Sequence, residues 1–301
     1  MDGKIIPVEQ NNQDQLYEYC AQYGAEHDAS YIPGRDFKIS KEHPSFLLME
    51  GGNVSGAISL MRTKNFLSVG KGRFSIFHSR TGDPDDYGAL LDAIWPHLDD
   101  LRSVYLFIPD EKKEVAVVLE GMDFQVERFS FILERGGIPL PDPVFPDEID
   151  IYQLTPDDRE GMSQFADCIN EEFKDLAGHT PSSVDFIQTF FEDVGYIEGG
   201  LCLLKKGQEP IGTIGLMHDV ENMAAGEIMA VGVLEAYRGL GLGRNLLRYG
   251  YNFLINQGLD PVILSVNGEN RGAIRLYESE GFQLTESVIC YNIDPQRVVR
   301  D

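Results

Sequence analysis

Three glycines at alternate positions punctuate the run Arg238-Gly239-Leu240-Gly241-Leu242-Gly243-Arg244. Glycine lets successive backbone N–H groups turn toward one point without obstruction by a Cβ. The residues that follow, Asn245-Leu246-Leu247-Arg248, continue as a helix, whose positive dipole end faces that same point. Such an arrangement cradles a pyrophosphate. The Lys-Ser/Thr pair of a Walker loop is missing, and Arg238 stands where a dinucleotide fingerprint has its first glycine. Two familiar nucleotide loops are thereby excluded. Arg238 and Arg244 supply local positive potential in a chain whose formal charge is −24.

Further residues could act on a bound molecule. Asn270 and Tyr277 are seven positions apart, two turns along one flank of a helix. A phenol holds its proton at neutral pH and can donate it to a leaving group. A tyrosine on an amphipathic helix is ordinarily a core residue. Here the glycine run begins 32 residues before Asn270, and Glu280-Gly281-Phe282 follows, which speaks for a site instead. Glu227 opens a strand eleven residues before Arg238, and a carboxylate there can take a proton from an attacking ammonium. The plain alternative is a strand-end carboxylate held in hydrogen bonds. His218, ending the preceding strand, is a second candidate base, although a lone histidine in that place is more often structural.

Arg238-x-x-Gly241-x-Gly243 together with Asn270…Tyr277 resembles the coenzyme A loop and second motif of the GCN5-related N-acetyltransferases (GNATs). The resemblance is good over about 149–294 and weak over 1–135. It implies acetyl-CoA as co-substrate and no metal. It places the cofactor against Val231, Gly232 and Val233, whose strand edge pairs with the pantetheine amides, and against Arg238, Gly239, Leu240, Gly241, Leu242, Gly243, Arg244 and Asn270. It implies direct attack by a primary amine on the thioester carbonyl, polarised by backbone N–H groups of 231–233. Tyr277 then protonates the departing thiolate. Glu227 occupies the position of the catalytic glutamate in histone-acetylating members. The implied acceptor is a small molecule or a peptide.

These residues must be held by a mixed α/β fold. In the second half, strands are expected at 149–154, 201–217 (a hairpin), 227–233, 261–266 and 287–293, with helices from Thr155, at 184–191, at 243–256 and at 271–280. Thr155 reads as an N-cap with Pro156 at N1. The order is that of the acetyltransferase fold. Between the halves, Gly136-Gly137-Ile138-Pro139-Leu140-Pro141-Asp142-Pro143-Val144-Phe145-Pro146 sustains neither helix nor central strand. Gly56-Ala57-Ile58-Ser59-Leu60-Met61 matches Gly212-Thr213-Ile214-Gly215-Leu216-Met217 at an offset of 156. Residues 116–125 match 274–283 at 158. The nearly constant offset indicates an internal duplication. The expected organisation is a degenerate copy (1–135), a linker (136–148) and a catalytic copy (149–301), two tandem GNAT domains. In the first copy Leu119 falls where Tyr277 stands and Lys112 where Asn270 stands. The glycine loop maps to Ser79-Arg80-Thr81-Gly82-Asp83-Pro84-Asp85-Asp86, whose acids oppose an anion. That copy is expected to be structural.

A hydrophobic fraction of 43% over 301 residues suits two globular cores. The acidic balance argues against nucleic acid; it would suit a cationic acceptor, while the plainer reading is that excess acid keeps the protein soluble. No apolar run approaches a membrane span and the first residues form no signal peptide, so a cytoplasmic protein is expected. Cys20, Cys168, Cys202 and Cys290 are scattered, consistent with reduced thiols rather than disulfides or zinc. Monomer and homodimer both remain open. Two alternatives compete with acetyl transfer: a non-catalytic acyl-CoA sensor or scaffold using the same pocket, and a tandem acyltransferase using aminoacyl-tRNA, which the acidic charge opposes. Acceptor choice is expected to rest on the loop around 173–183.

Overall fold

The computed structural model describes residues 3–27, 31–35, 37–176, 179–220 and 222–297; Ala177 and Gly178 of the expected acceptor loop lie outside them. The chain forms two compact units. One comprises residues 1–129 and 287–301, the other residues 130–286.

The second unit carries the glycine run. Its strands are β7 (Ile149–Gln153), β8 (Tyr196–Lys206), β9 (Glu209–His218), β10 (Gly226–Val233) and β11 (Val262–Asn267), joined by residues 130–135 of β6 (Gln125–Arg135). The helices are α5 (Arg159–Phe173), α6 (Val184–Phe190), α7 (Leu242–Asn256) and α8 (Arg271–Ser279). Strand order is β7-β8-β9-β10-β11-β6, antiparallel except for the parallel β10–β11 pair. Its core is built from alternate residues of these strands, such as Ile214, Leu216, Ile228 and Leu264, packed against Leu246, Leu247, Tyr251 and Leu254 of α7. The last four recur at helical spacing, which makes α7 amphipathic.

The first unit repeats the plan. Strands β1 (Lys4–Pro7), β2 (Ser45–Glu50), β3 (Asn53–Met61), β4 (Lys71–Ser79) and β5 (Ser103–Pro109) run in the same order, with α1 (Gln13–Tyr23), α2 (Lys64–Ser68), α3 (Pro84–Ile94) and α4 (Lys113–Glu120). The sixth place is taken by residues 287–293 of β12 (Gln283–Ile293), which pair antiparallel with β5 from Val288↔Pro109 to Ile293↔Val104. In the second unit the same place is filled by β6, from Asn267↔Ser130 to Val262↔Arg135. Each sheet is thus completed by a strand from the other half of the sequence. A division at the proline-rich stretch assigns both strands to the opposite unit from the one in which they pair. The two segments matched by sequence offset occupy equivalent places, β3 with β9 and α4 with α8.

One local expectation is corrected. α5 begins at Arg159 rather than in the Thr155-Pro156 turn, because Asp158 is the N-cap, accepting from the Gly161 N–H at 2.8 Å. Residues 136–146 form no helix or strand but are fastened: Asn252 of α7 accepts from the Leu140 N–H at 2.7 Å and donates to the Leu140 carbonyl at 3.0 Å, and Asn245 accepts from the Val144 N–H. All four cysteines are free and buried. Among the described residues no helix is long and apolar enough to cross a membrane, and no cluster of metal-ligating side chains occurs.

The strand exchange yields a test. Fragments 1–147 and 148–301, made separately, each lack the strand that completes their sheet. Each alone is expected to aggregate or self-associate, and co-expression to give a stable 1:1 complex by size-exclusion chromatography. Two independently monomeric, folded fragments would contradict the exchange.

Candidate active site

β10 and β11 pair only across Gly226–Ile228 against Val262–Leu264. β11 runs on to Asn267 paired to β6. From Met229 onward, the edge of β10 on the β11 side therefore has no ladder partner among the described residues. On its other side β10 pairs with β9 at Met229↔Gly215 and again at Gly232↔Thr213, three residues advancing against two. That is a one-residue β-bulge, and it turns the backbone groups of Ala230 and Val231 out of the β9 register. Ala230 has φ +47°, a left-handed conformation unusual for a residue with a side chain. Thr213 Oγ1 lies 2.7 Å from the Ala230 carbonyl oxygen and secures it. Val231, Gly232 and Val233, expected along the cofactor, make up the bulged end.

The glycine loop leads from this end into α7. Gly239 and Gly241 have φ +79° and +78°, and a Cβ on either would meet nothing within 4 Å. Conformation rather than crowding therefore calls for glycine there. Gly241 is the N-cap, and no side chain caps the helix. In the same unit Asp158, Ser183 and Asn270 cap α5, α6 and α8 with their side chains. The first bond of α7 runs from Asn245 N–H to the Gly241 carbonyl, so the N–H groups of Leu242, Gly243 and Arg244 project from its end without an intrahelical acceptor. Leu240 is exposed at the loop tip. A Cβ built on Gly243 lies 4.0 Å from both Val233 and Leu276, which brings β10, α7 and α8 to one place. An open strand edge ending at an uncapped helix N-terminus fits a ligand with an amide chain and a pyrophosphate.

The arginines are engaged with the protein. Arg238 Nε donates to the Val233 carbonyl at 2.8 Å, tying the loop to the strand end. Arg244, expected over the phosphates, forms an ion pair with Glu280, which Arg248 joins at 2.7 and 3.0 Å. Burial alone would push the Glu280 carboxyl up, but the hydrogen bonds and charges of Arg248 and Arg244 hold it below its ordinary value. Asn270 Oδ1 accepts from the Ala273 N–H at 3.2 Å and so starts α8. Tyr277 is buried, its ring 6.2 Å from that of Phe282. Desolvation pushes its phenol up to about 12, which keeps it protonated at neutral pH.

Glu227 stands at the paired end of β10, opposite Met217 and Ile263 and half-buried. His218 Nδ1 is 2.9 Å from the Met223 carbonyl oxygen, which gives it a structural contact in the β9–β10 turn. One residue in this region was not anticipated. Glu172, near the end of α5, sets its carboxyl against the bulge: Oε2 lies 2.9 Å from Thr213 Oγ1, and a Cβ on Gly232 would come within 2.6 Å of its Cδ. Burial pushes this carboxyl up to about 8, opposed in part by Thr213 and Arg238. Nothing in the spacing marks Glu172, one of several acids along an amphipathic helix.

The corresponding loop of the first unit is closed on itself. Asp83 caps α3 by accepting from the Asp85 N–H at 3.0 Å, and the Ser79 and Thr81 hydroxyls donate to Asp86 at 2.9 and 2.5 Å. Leu119 is fully buried where Tyr277 stands in the second unit, and Lys112 opens α4 without a side-chain cap.

Residues 163–282 match the model of the Acetyltransferase (GNAT) family. A mycothiol acetyltransferase of Thermomonospora curvata is 30% identical over 159 residues, 52% of each chain. Other mycothiol acetyltransferases match over 22–23% of their length. The chain thus spans about half or less of these relatives. Among solved structures, a GCN5-related N-acetyltransferase from Sphaerobacter thermophilus aligns with TM-score 0.72 and 16% identity over 97% of this chain and 96% of its own. A tandem GNAT protein from the clavulanic acid biosynthesis pathway aligns over the whole of both chains with TM-score 0.71 and 12% identity. The bulged, splayed strand, the uncapped glycine loop and these likenesses lead to one conclusion: residues 163–282 carry a GNAT-family acetyltransferase domain, within a fold that the chain shares along its whole length with a tandem GNAT protein.

Proposed function

We propose that the second unit is an acetyl-CoA-dependent N-acetyltransferase acting on a primary amine of a small molecule or peptide. The observation that carries this reading is the unpaired edge of β10 leading into the uncapped N-terminus of α7. Val231, Gly232 and Val233 would line the pantetheine. The N–H groups of 239–244 would hold the pyrophosphate, with Arg238 and Arg244 adding positive charge. Bound there, acetyl-CoA supplies the acyl group as a reactive thioester. Backbone N–H groups of the bulged strand would polarise the acyl oxygen. Glu227 would accept a proton from the acceptor ammonium, directly or through a water. Tyr277 Oη would donate a proton to the departing sulfur, and the same desolvation that raises the phenol also favours a neutral thiol over a thiolate there. The mycothiol acetyltransferase likeness supports acetyl transfer in general, and no motif here selects mycothiol chemistry. An acidic chain suits a cationic acceptor.

A screen of amines and peptides with acetyl-CoA, read by thiol release, is expected to yield turnover, and none across a broad panel would contradict the reading. With an acceptor in hand, Tyr277→Phe is expected to lower kcat by about 10²–10⁴-fold with coenzyme A affinity unchanged; unaltered kcat would remove Tyr277 from its role. Gly241→Ala forces a side chain into a left-handed position at about 1–2 kcal/mol. It should weaken coenzyme A binding roughly tenfold in calorimetry, and a variant binding like the parent would show that the loop is not the pyrophosphate cradle.

A further inference from the structure

The contacts of Thr213 constrain the protonation of Glu172. Thr213 Oγ1 lies 2.9 Å from Glu172 Oε2 and 2.7 Å from the Ala230 carbonyl oxygen. A threonine hydroxyl has one hydrogen, and a carbonyl has none to give. For both contacts to be hydrogen bonds, Glu172 must carry the second proton. Its other oxygen, Oε1, is buried and has no hydrogen-bond partner among the described residues. A neutral carbonyl oxygen tolerates that far better than half of a carboxylate charge does.

We propose that Glu172 is a positioning residue for the coenzyme edge: as a neutral acid it donates to Thr213, Thr213 donates to Ala230, and this relay holds the bulge that opens β10. The consequence for coenzyme binding rests on the function proposed above; the proton on Glu172 does not. The carboxyl faces Gly232 and Thr213, neither of which titrates. The charged group nearest in effect is Arg238, whose Nε is turned to the Val233 carbonyl. On α5 itself Cys168 is pushed up to about 12, first by burial and then by Glu172, and stays neutral, while Glu171 pairs with Lys174. Burial outweighs the arginine, and the Glu172 carboxyl is pushed up to about 8. Loss of its proton leaves Thr213 with one hydrogen for two acceptors, and the Ala230 bond competes with the carboxylate.

The sign follows from the raised value. A carboxyl that binds its proton more tightly when folded contributes stability that is complete below its ordinary value near 4.5 and is lost by the time the pH passes about 8. In Glu172→Gln the amide keeps a donor for Thr213 at every pH. The urea midpoint of the parent should therefore fall relative to that of Glu172→Gln between these limits, and the two curves should run parallel above. Desulfo-coenzyme A, which has no titrating thiol, should bind the parent about tenfold more weakly at pH 9.5 than at pH 7, and Glu172→Gln equally within about twofold. Parallel midpoints throughout, or parent affinity independent of pH, would overturn the proposal. Should Glu172→Gln not fold, the parent labelled with ¹³C at its glutamate carboxyls decides: one resonance still at its protonated position at pH 7 supports the relay, and none overturns it. A protonated resonance without any binding of desulfo-coenzyme A would count against the acetyltransferase reading and for the proton on Glu172.

Discussion

The separation of β10 from its parallel neighbour after Ile228 is the constraint on which the rest of the second unit depends. A strand edge inside a domain ordinarily must be paired, because an unbonded N–H or C=O away from water is costly. Here the β11-side edge of Met229–Val233 has no ladder partner among the described residues, and the chain builds around it. The extra residue in the bulge turns that stretch away from β9, Thr213 binds the freed Ala230 carbonyl, and Glu172 backs Thr213. A Cβ on Gly232 would press on that carboxyl and oblige it to shift. The strand end then passes, through a loop tied back by Arg238, into a helix with no cap of its own.

The first unit shows the same plan with those groups answered from within. Its counterpart loop is capped by Asp83 and cross-bonded through Ser79, Thr81 and Asp86. Strand β4 is buried along nearly its whole length, where β10 is only partly buried from Met229 to Gly232. The contrast separates fold from site. Both units keep the strand order, and only the second combines the bulged strand end with a helix that no side chain caps.

Much of this was legible in the sequence, for definable reasons. The glycine run is a local signal, since a left-handed turn depends on the residue itself and its near neighbours; Asn270 and Tyr277, marked for chemistry by their spacing, stand in the structure as the N-cap of α8 and a buried core residue. The repeat was visible because core-facing residues of β3 and β9 are under the same packing demands. Three features were not legible. Arg244 reads as a phosphate ligand by position, but its ion pair with Glu280 depends on how α8 lies against α7. Glu172 meets Thr213 and Gly232 only after α5 packs on the sheet. The exchange of β6 and β12 leaves no trace in periodicity, because a strand reads the same whichever sheet it completes.

The central claim is that one of two related units retains the coenzyme site. Calorimetric titration of the intact chain with coenzyme A tests it most directly. The account predicts saturable binding with a stoichiometry of one per chain, and a stoichiometry of two, or no binding, would contradict it.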